Sequence, residues 1–237
     1  MKIGVLVSTN GSAFIASWKI LQKIYGIENQ FFILVDRDCG VEEFCAQKKI
    51  SCHKINYLNK EQFSSAATLY FESIGGVDLI FLYFVRIITP TLFNKFPCLN
   101  IHPSLLPSFK GLDGVRLFLT SSSKFLGATL HLVDKGIDTG LIIAQVTTPI
   151  PNTIEEKVAY KISYLQKVYL TLVGYCIIKK RSIEFNADFS NFVWKENLIS
   201  VLQNRNHENQ KDHHSVHHRV DNFDNTCLFP MSQSGSC

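Results

Sequence analysis

The run Asp78–Phe84, D-L-I-F-L-Y-F, is apolar at every position after its first. A strand with no polar alternation must be covered on both faces, which is the habit of parallel sheets sandwiched between helices. The residues before it keep the same rhythm. Lys2–Val7 is a β-branched run that stops at S-T-N-G-S (8–12), and a helical pattern follows through Tyr25. Phe31–Val35 is a second apolar strand ended by D-R-D (36–38), Ile50–Ile55 a third, and Lys60–Ile74 a helix closed by Gly75 and Gly76. Strands alternating with helices at this spacing predict βαβ units: an α/β, Rossmann-like, mostly parallel twisted sheet with helices on both faces.

Leu99–Pro107 reads L-N-I-H-P-S-L-L-P. The prolines force the chain out of regular structure at the end of an apolar run. Asn100 and His102 are two residues apart, so in a strand they project from one face. Open α/β sheets place their ligands at such strand ends. The alternative is a pair of satisfied polar residues at a strand terminus. Beyond Pro107, Ala128–Val133 and Leu141–Thr147 bracket D-K-G-I-D-T-G (134–140), which reads as a hairpin with a long, structured tip. Thr153 to Lys180 reads as a helix with Thr153 as N-cap and Glu155 and Glu156 suiting its dipole. Ser182–Trp194 suggests a final strand.

The 237 residues suffice for one large domain with an appendage, and the boundary is set at 1–200 for the catalytic domain. Residues 201–237 are polar and His-rich, the composition of a disordered tail. Its His213/His217 and His214/His218 pairs have the spacing of helical metal ligands, but nothing there predicts a helix, and no metal is expected. A net charge of +4 without a tight Lys/Arg run argues against nucleic acid. Seven cysteines without CxxC spacing, no signal peptide in MKIGVLVSTNGS and no membrane-length apolar run point to a reducing cytoplasm.

Four segments in order carry a resemblance: N-G-S at 10–12, R-I-I-T-P at 86–90, N-I-H-P-S-L-L-P at 100–107, and G-A-T-L-H-L-V-D-K-G-I-D-T-G-L-I-I-A-Q at 127–145. Together they resemble the folate-dependent formyltransferases, and most of all their glycinamide ribonucleotide branch. The resemblance implies formyl transfer from 10-formyltetrahydrofolate to a primary amine, a step of one-carbon and purine metabolism. It also makes Asn100, His102 and Asp138 the catalytic trio. Asn100 and a protonated His102 would donate hydrogen bonds to the oxygen on which charge develops, each such donor lowering the barrier by roughly 3 to 4 kcal/mol. Asp138 would relay the proton from the attacking nitrogen and hold His102 protonated. Asp-Thr-Gly alone is equally a turn. His131 matches a supporting histidine of the family, and is otherwise a packed core residue.

The resemblance further assigns Arg86, Ile87 and Ile88 to the folate, with Lys135, Ile137, Thr139 and Gly140 as the opposite wall. Gly11 and Ser12, where a strand opens into a helix, would hold a substrate phosphate through backbone amides, or serve only as a cap. Departures gather on the acceptor side. Ala13 replaces the family's Asn, and Lys110 stands before Gly111 as in sugar and methionyl-tRNA formyltransferases. Asp113 falls where the ribonucleotide branch has His, and Gln166 falls where it has an acid. Lys60 aligns loosely with a phosphate-binding Arg. Because the N-G-S turn belongs with the ribonucleotide branch, the resemblance still makes glycinamide ribonucleotide, a phosphorylated small-molecule amine, the leading acceptor. The alternatives are an amino-sugar nucleotide and, from another class, a catalytically inactive folate- or nucleotide-binding protein. Oligomeric state has no signature in the sequence.

Overall fold

The computed structural model describes residues 1–25, 30–150 and 153–180. Seven strands form one sheet: β1 (Lys2–Val7), β2 (Gln30–Val35), β3 (Ser51–Lys54), β4 (Leu79–Tyr83), β5 (Cys98–His102), β6 (Phe125–Leu132) and β7 (Ile142–Pro149). Their order is β3-β2-β1-β4-β5-β6-β7. The pairs among β1 to β5 are parallel, while β5–β6 and β6–β7 are antiparallel. The helices are α1 (Ser12–Tyr25), α2 (Val41–Lys48), α3 (Lys60–Ser73), α4 (Pro90–Phe93), α5 (Gly114–Leu119) and α6 (Glu156–Lys180). No helix among the described residues is long and apolar enough to cross a membrane.

The apolar strands are buried on both sides, as their composition requires. Ile3, Val5 and Val7 of β1, Leu79 and Phe81 of β4, and Leu99 and Ile101 of β5 pack into a cluster with Phe14 of α1 and Leu170 and Tyr175 of α6. The alternate residues Leu6, Ile80, Leu82 and Cys98 face Phe63, Ala67 and Phe71 of α3 and Leu92 of α4. After β3 the chain returns to the far side of β1, so the order reverses between β1 and β4. The carboxyl ends of β1, β4 and β5 open together at this switch point, where doubly wound sheets bind ligands.

The hairpin β6–β7 carries the predicted tip. Asp134 Oδ1 accepts hydrogen bonds from the Gly136 amide (3.0 Å) and from Thr139 Oγ1 (2.7 Å), closing a local turn. At Gly140 the backbone runs so near β6 that an added Cβ would lie 1.8 Å from the Leu132 carbonyl oxygen. Only glycine allows that approach.

The helix after β7 starts later than its sequence pattern suggests. Thr153 does not cap it; α6 begins at Glu156, and the Glu155 carbonyl accepts from Val158 and Ala159, both at 3.0 Å. Packing decides this boundary: Ile150 and Ile154 are drawn into a small cluster with Val115, Phe118 and Leu126. The suggested strand 182–194 and the tail 201–237 lie outside the described residues. We expect Gly140→Ala to destabilise the chain by about 2–3 kcal/mol in urea denaturation, because the clash is with backbone and cannot be relieved by a rotamer. Unchanged stability would mean the tip is looser than described.

Candidate active site

β5 ends at the switch point and delivers two polar side chains there. Leu99 and Ile101 are locked into one core, so Asn100 and His102 emerge on the opposite face. Asn100 is half-buried and His102 buried. The loop that leaves β5 is tied down through Thr129, which sits opposite His102 on β6. Thr129 Oγ1 accepts from the Leu106 amide (3.0 Å) and from Gln145 Nε2 (2.9 Å), and donates to the Ser104 carbonyl (2.7 Å). Gln145 Nε2 also reaches the Leu106 carbonyl at 3.0 Å.

The hairpin tip brings the third side chain. Asp138 adopts a left-handed backbone conformation (φ 50°), which a short polar side chain tolerates. Its carboxylate is nearly buried, with Oδ2 lying 3.3 Å from His102 Nδ1 and accepting a 2.8 Å hydrogen bond from the Gly111 amide. Oδ1 lies 3.4 Å from both Asn100 Nδ2 and His131 Nε2. His131 is buried beside them. Its Nδ1 lies 2.8 Å from the Leu132 carbonyl, so that nitrogen carries the hydrogen, and Nε2, 3.2 Å from Asn100 Nδ2, is left to accept from the amide. Residues distant in the chain thus converge on one carboxylate.

The electrostatics depart from expectation at His102. Burial is the largest influence and pulls its pKa below the ordinary 6.5; the bond to the Phe109 carbonyl and the charge of Asp138 oppose this without reversing it. At neutral pH the ring is therefore neutral, so Asp138 does not hold it protonated. Nε2 lies 2.7 Å from the Phe109 carbonyl, an acceptor, which places the single hydrogen there. For Asp138, burial by itself raises the pKa, but its neighbours His131, Gly111 and His102 together outweigh it and keep the carboxyl below 3.8. A carboxylate base and a neutral imidazole whose Nε2–H rests on the Phe109 carbonyl are the chemical outcome.

Phe109 and Gly111 were not singled out as site residues in the sequence, yet their backbone occupies the reactive groups. Phe109, Gly111 and Asp113 all have positive φ (54°, 84° and 61°), a tight path that folds the loop back onto His102 and Asp138. Lys110 between them is exposed.

Other anticipated residues divide. Gly11 opens α1 at the end of β1, its carbonyl taking the Ile15 amide at 2.8 Å, so the first-turn amides of Ser12 and its neighbours have no partner within the helix. Arg86 lies over the Tyr57 ring at 5.4 Å and 3.7 Å from the buried Asp36 carboxylate. Ile87 is exposed and its carbonyl accepts from Tyr57 Oη at 3.0 Å, whereas Ile88 belongs to the core. In the tip, Lys135, Ile137 and Thr139 are exposed, with the Thr139 hydroxyl engaged by Asp134. Lys60 pairs with Glu61, at 3.7 Å.

Gln166 is a correction. It is buried, and its Nε2 donates to the Leu126 carbonyl (2.9 Å) and to Thr148 Oγ1 (3.0 Å). The inward stripe of α6 turns it onto the β6–β7 hairpin, so it ties helix to sheet instead of facing a substrate. Its neighbour Lys167, absent from the sequence reading, acts electrostatically on His102. Among the described residues no group of three or more His, Cys, Asp and Glu side chains is arranged to hold a metal ion.

A doubly wound sheet whose switch point gathers an amide, an imidazole and a carboxylate defines an α/β protein with one convergent polar site at its strand ends. Comparison with known proteins specifies it. Residues 1–171 match the formyl transferase family model, and the chain belongs to that family. It is 34% identical over 193 residues to the trifunctional purine biosynthetic protein adenosine-3 of Chironomus tentans, covering 73% of this chain and 14% of that protein. It is 32% identical to the phosphoribosylglycinamide formyltransferase of Mycobacterium tuberculosis, across 54% of this chain and 61% of the relative. These matches thus span less than two thirds of either relative. The solved glycinamide ribonucleotide transformylase 1 of Symbiobacterium toebii superposes with a TM-score of 0.70 at 25% identity, over 78% of this chain and 91% of that one.

The two shifted groups make stability acid-sensitive. His102 binds its proton less readily folded than unfolded, so stability falls as pH drops from 6.5 toward its lower folded value. Asp138 withholds its proton likewise, and its contribution disappears below 3.8. Urea unfolding should therefore give a smaller free energy at pH 5 than at pH 7.5, and His102→Gln should reduce that difference. An identical pH slope in the variant would contradict the buried neutral imidazole.

Proposed function

We propose that this chain transfers a formyl group from 10-formyltetrahydrofolate to the primary amine of glycinamide ribonucleotide. The observation that carries this reading is the convergence of Asn100, His102 and Asp138 at one strand end. The relatives named phosphoribosylglycinamide formyltransferase support the choice of acceptor.

The chemistry follows from the geometry. The amine nitrogen attacks the formyl carbon, a C–N bond forms, and the carbonyl oxygen takes up negative charge. Asn100 Nδ2 and the His102 Nε2–H are the donors for that oxygen. In a largely buried site such donors act most strongly once the loop has released them. The attacking nitrogen gives up a proton, directly or through water, to Asp138, which is ionised and so able to accept it. Breakage of the bond from carbon to the folate nitrogen, with a proton delivered there, completes the transfer. The Phe109 carbonyl and the Gly111 amide now take the places of the substrate on His102 and Asp138, so the loop backbone must yield as the substrates enter.

Arg86 and Ile87 at the end of β4, with Lys135, Ile137, Thr139 and Gly140 at the tip, flank the cleft for the folate. Ile88 supports it from the core. Gly11 and Ser12 offer first-turn amides to a phosphate. Cys39, Cys45, Cys52 and Cys98 are thiols, in keeping with a reducing cytoplasm. An amino-sugar nucleotide is the second acceptor reading, favoured by the exposed Lys110 on the loop that meets Asp138.

Tetrahydrofolate release from 10-formyltetrahydrofolate, followed with each amine, tests the proposal. Turnover with glycinamide ribonucleotide is expected; turnover with an amino-sugar nucleotide alone would replace the acceptor, and folate binding without turnover on any amine would leave a binding protein. Asn100→Ala and Asp138→Asn should each lower kcat roughly 10²–10³-fold. Folate affinity should hold within about threefold, since neither removed group serves ground-state binding of the donor. Substantial residual turnover in either variant would sink the mechanism.

A further inference from the structure

Three thiols gather at the sheet edge formed by β3, four strands away from β5 and its reactive groups. Val41, Phe44 and Cys45 make the inward face of α2. The chain then reverses through Lys49, left-handed at φ 55°, and the Ile50 amide donates to the Cys45 carbonyl at 2.9 Å. That tight return brings β3 beside the helix it has just left. Cys52 of β3 stands level with Ile33 of β2 in a parallel pair, so the two side chains point to the same face of the sheet. It is the face that α2 covers: Ile33 and Cys45 belong to one core cluster, and Cys39 and Cys52 pack against it. All three cysteines are free thiols, Cys45 buried and the other two half-buried.

A cysteine packed alone in a core is a small, inert hydrophobe. This arrangement differs, because the Cys45 and Cys52 thiols share a hydrogen bond across the seam between α2 and β3. With Cys45 as donor, that bond pulls the Cys52 pKa down, against the opposing effects of burial and of Glu42. Cys39 goes the other way: burial raises its pKa, so it remains a protonated bystander. The thiolate is the reactive form of a cysteine, and Cys52 is open enough for a small reagent to reach. A partly accessible thiolate with a second thiol in contact is the arrangement from which peroxide-sensitive pairs are built.

We propose that Cys45 and Cys52 form a reversible modification site at which hydrogen peroxide closes a disulfide between α2 and β3. The Cys52 sulfur attacks one peroxide oxygen, the O–O bond breaks, and the other oxygen leaves as hydroxide and takes up a proton to give water. Cys52 is then a sulfenic acid. The Cys45 sulfur attacks the Cys52 sulfur, the S–O bond breaks, and the departing hydroxide takes the Cys45 proton as a second water. Two electrons pass from the thiol pair to the peroxide, and a thiol reductant returns them by exchange. Neither residue belongs to the formyl-transfer site, so the assignment stands or falls independently of that reading.

Mild hydrogen peroxide treatment of the full folded chain, followed by alkylation of the remaining thiols and peptide mass mapping, tests this. A linked pair of peptides carrying Cys45 and Cys52 is expected, and dithiothreitol should release it. Cys52→Ser should abolish the link and leave Cys45 an unmodified thiol, whereas Cys39→Ser should leave the link in full yield. In Cys45→Ala the sulfenic acid has no partner to close on, so a dimedone adduct should accumulate at Cys52. Survival of both thiols in the treated wild-type chain, or a link that joins Cys52 to a different cysteine, would overturn the assignment. So would oxidation of Cys98, a buried thiol whose pKa burial pushes up, as fast as Cys52, since the pairing would then confer no reactivity.

Discussion

A single carboxylate organises this end of the molecule. Asp138 lies within 3.4 Å of Asn100, His102 and His131, and takes a hydrogen bond from Gly111. Those groups come from β5, β6 and the loop after β5, while Asp138 itself belongs to the hairpin tip. The arrangement depends on how the tip closes: Asp134 ties its start, and Gly140 permits a backbone approach that no other residue would allow. Without that closure the acid would have no fixed relation to the strand that carries the amide and imidazole.

Burial gives the site its electrical character. The same desolvation that strips His102 of its proton would also neutralise Asp138, were the carboxylate not surrounded by donors. One environment therefore yields an uncharged donor and a charged acceptor a few ångströms apart. The division does not come from an ion pair between them. His102 is oriented by the Phe109 carbonyl, and Asp138 by the Gly111 amide and the Asn100 side chain. Orientation and charge are set by different partners.

Much of the fold was legible in the residues. The fully apolar run 78–84 and the regular alternation before it required a parallel sheet covered on both faces, and the paired polar positions of β5 lay where prolines ended the strand. Asp138 was legible only jointly with that motif, because Asp-Thr-Gly is also an ordinary turn. Short helices such as α2 and α5 escaped, since a few residues carry too little periodicity to stand out. The start of α6 was misplaced because Ile154 packs into a tertiary cluster that no local cap reveals. Gln166 and the protonation of His102 were misjudged for a related reason. Both depend on what surrounds a side chain after folding, which spacing along a chain does not encode. Lys167 was overlooked because a lysine in a long helix looks like solvated surface until the helix is docked.

The antiparallel edge of the sheet has a further consequence. β6 pairs with β5 so that His131 stands opposite Asn100 and Thr129 opposite His102, and the tip follows directly from that pairing. Side chains on a strand alternate with period two, so a slip by one residue would turn His131 and Thr129 to the other face at once. The loop clamp would then be lost together with the placement of the acid. The geometry of the site is thus a proofreading mark on the chain's own folding: a hairpin joined one residue out of step would assemble a sheet but no site.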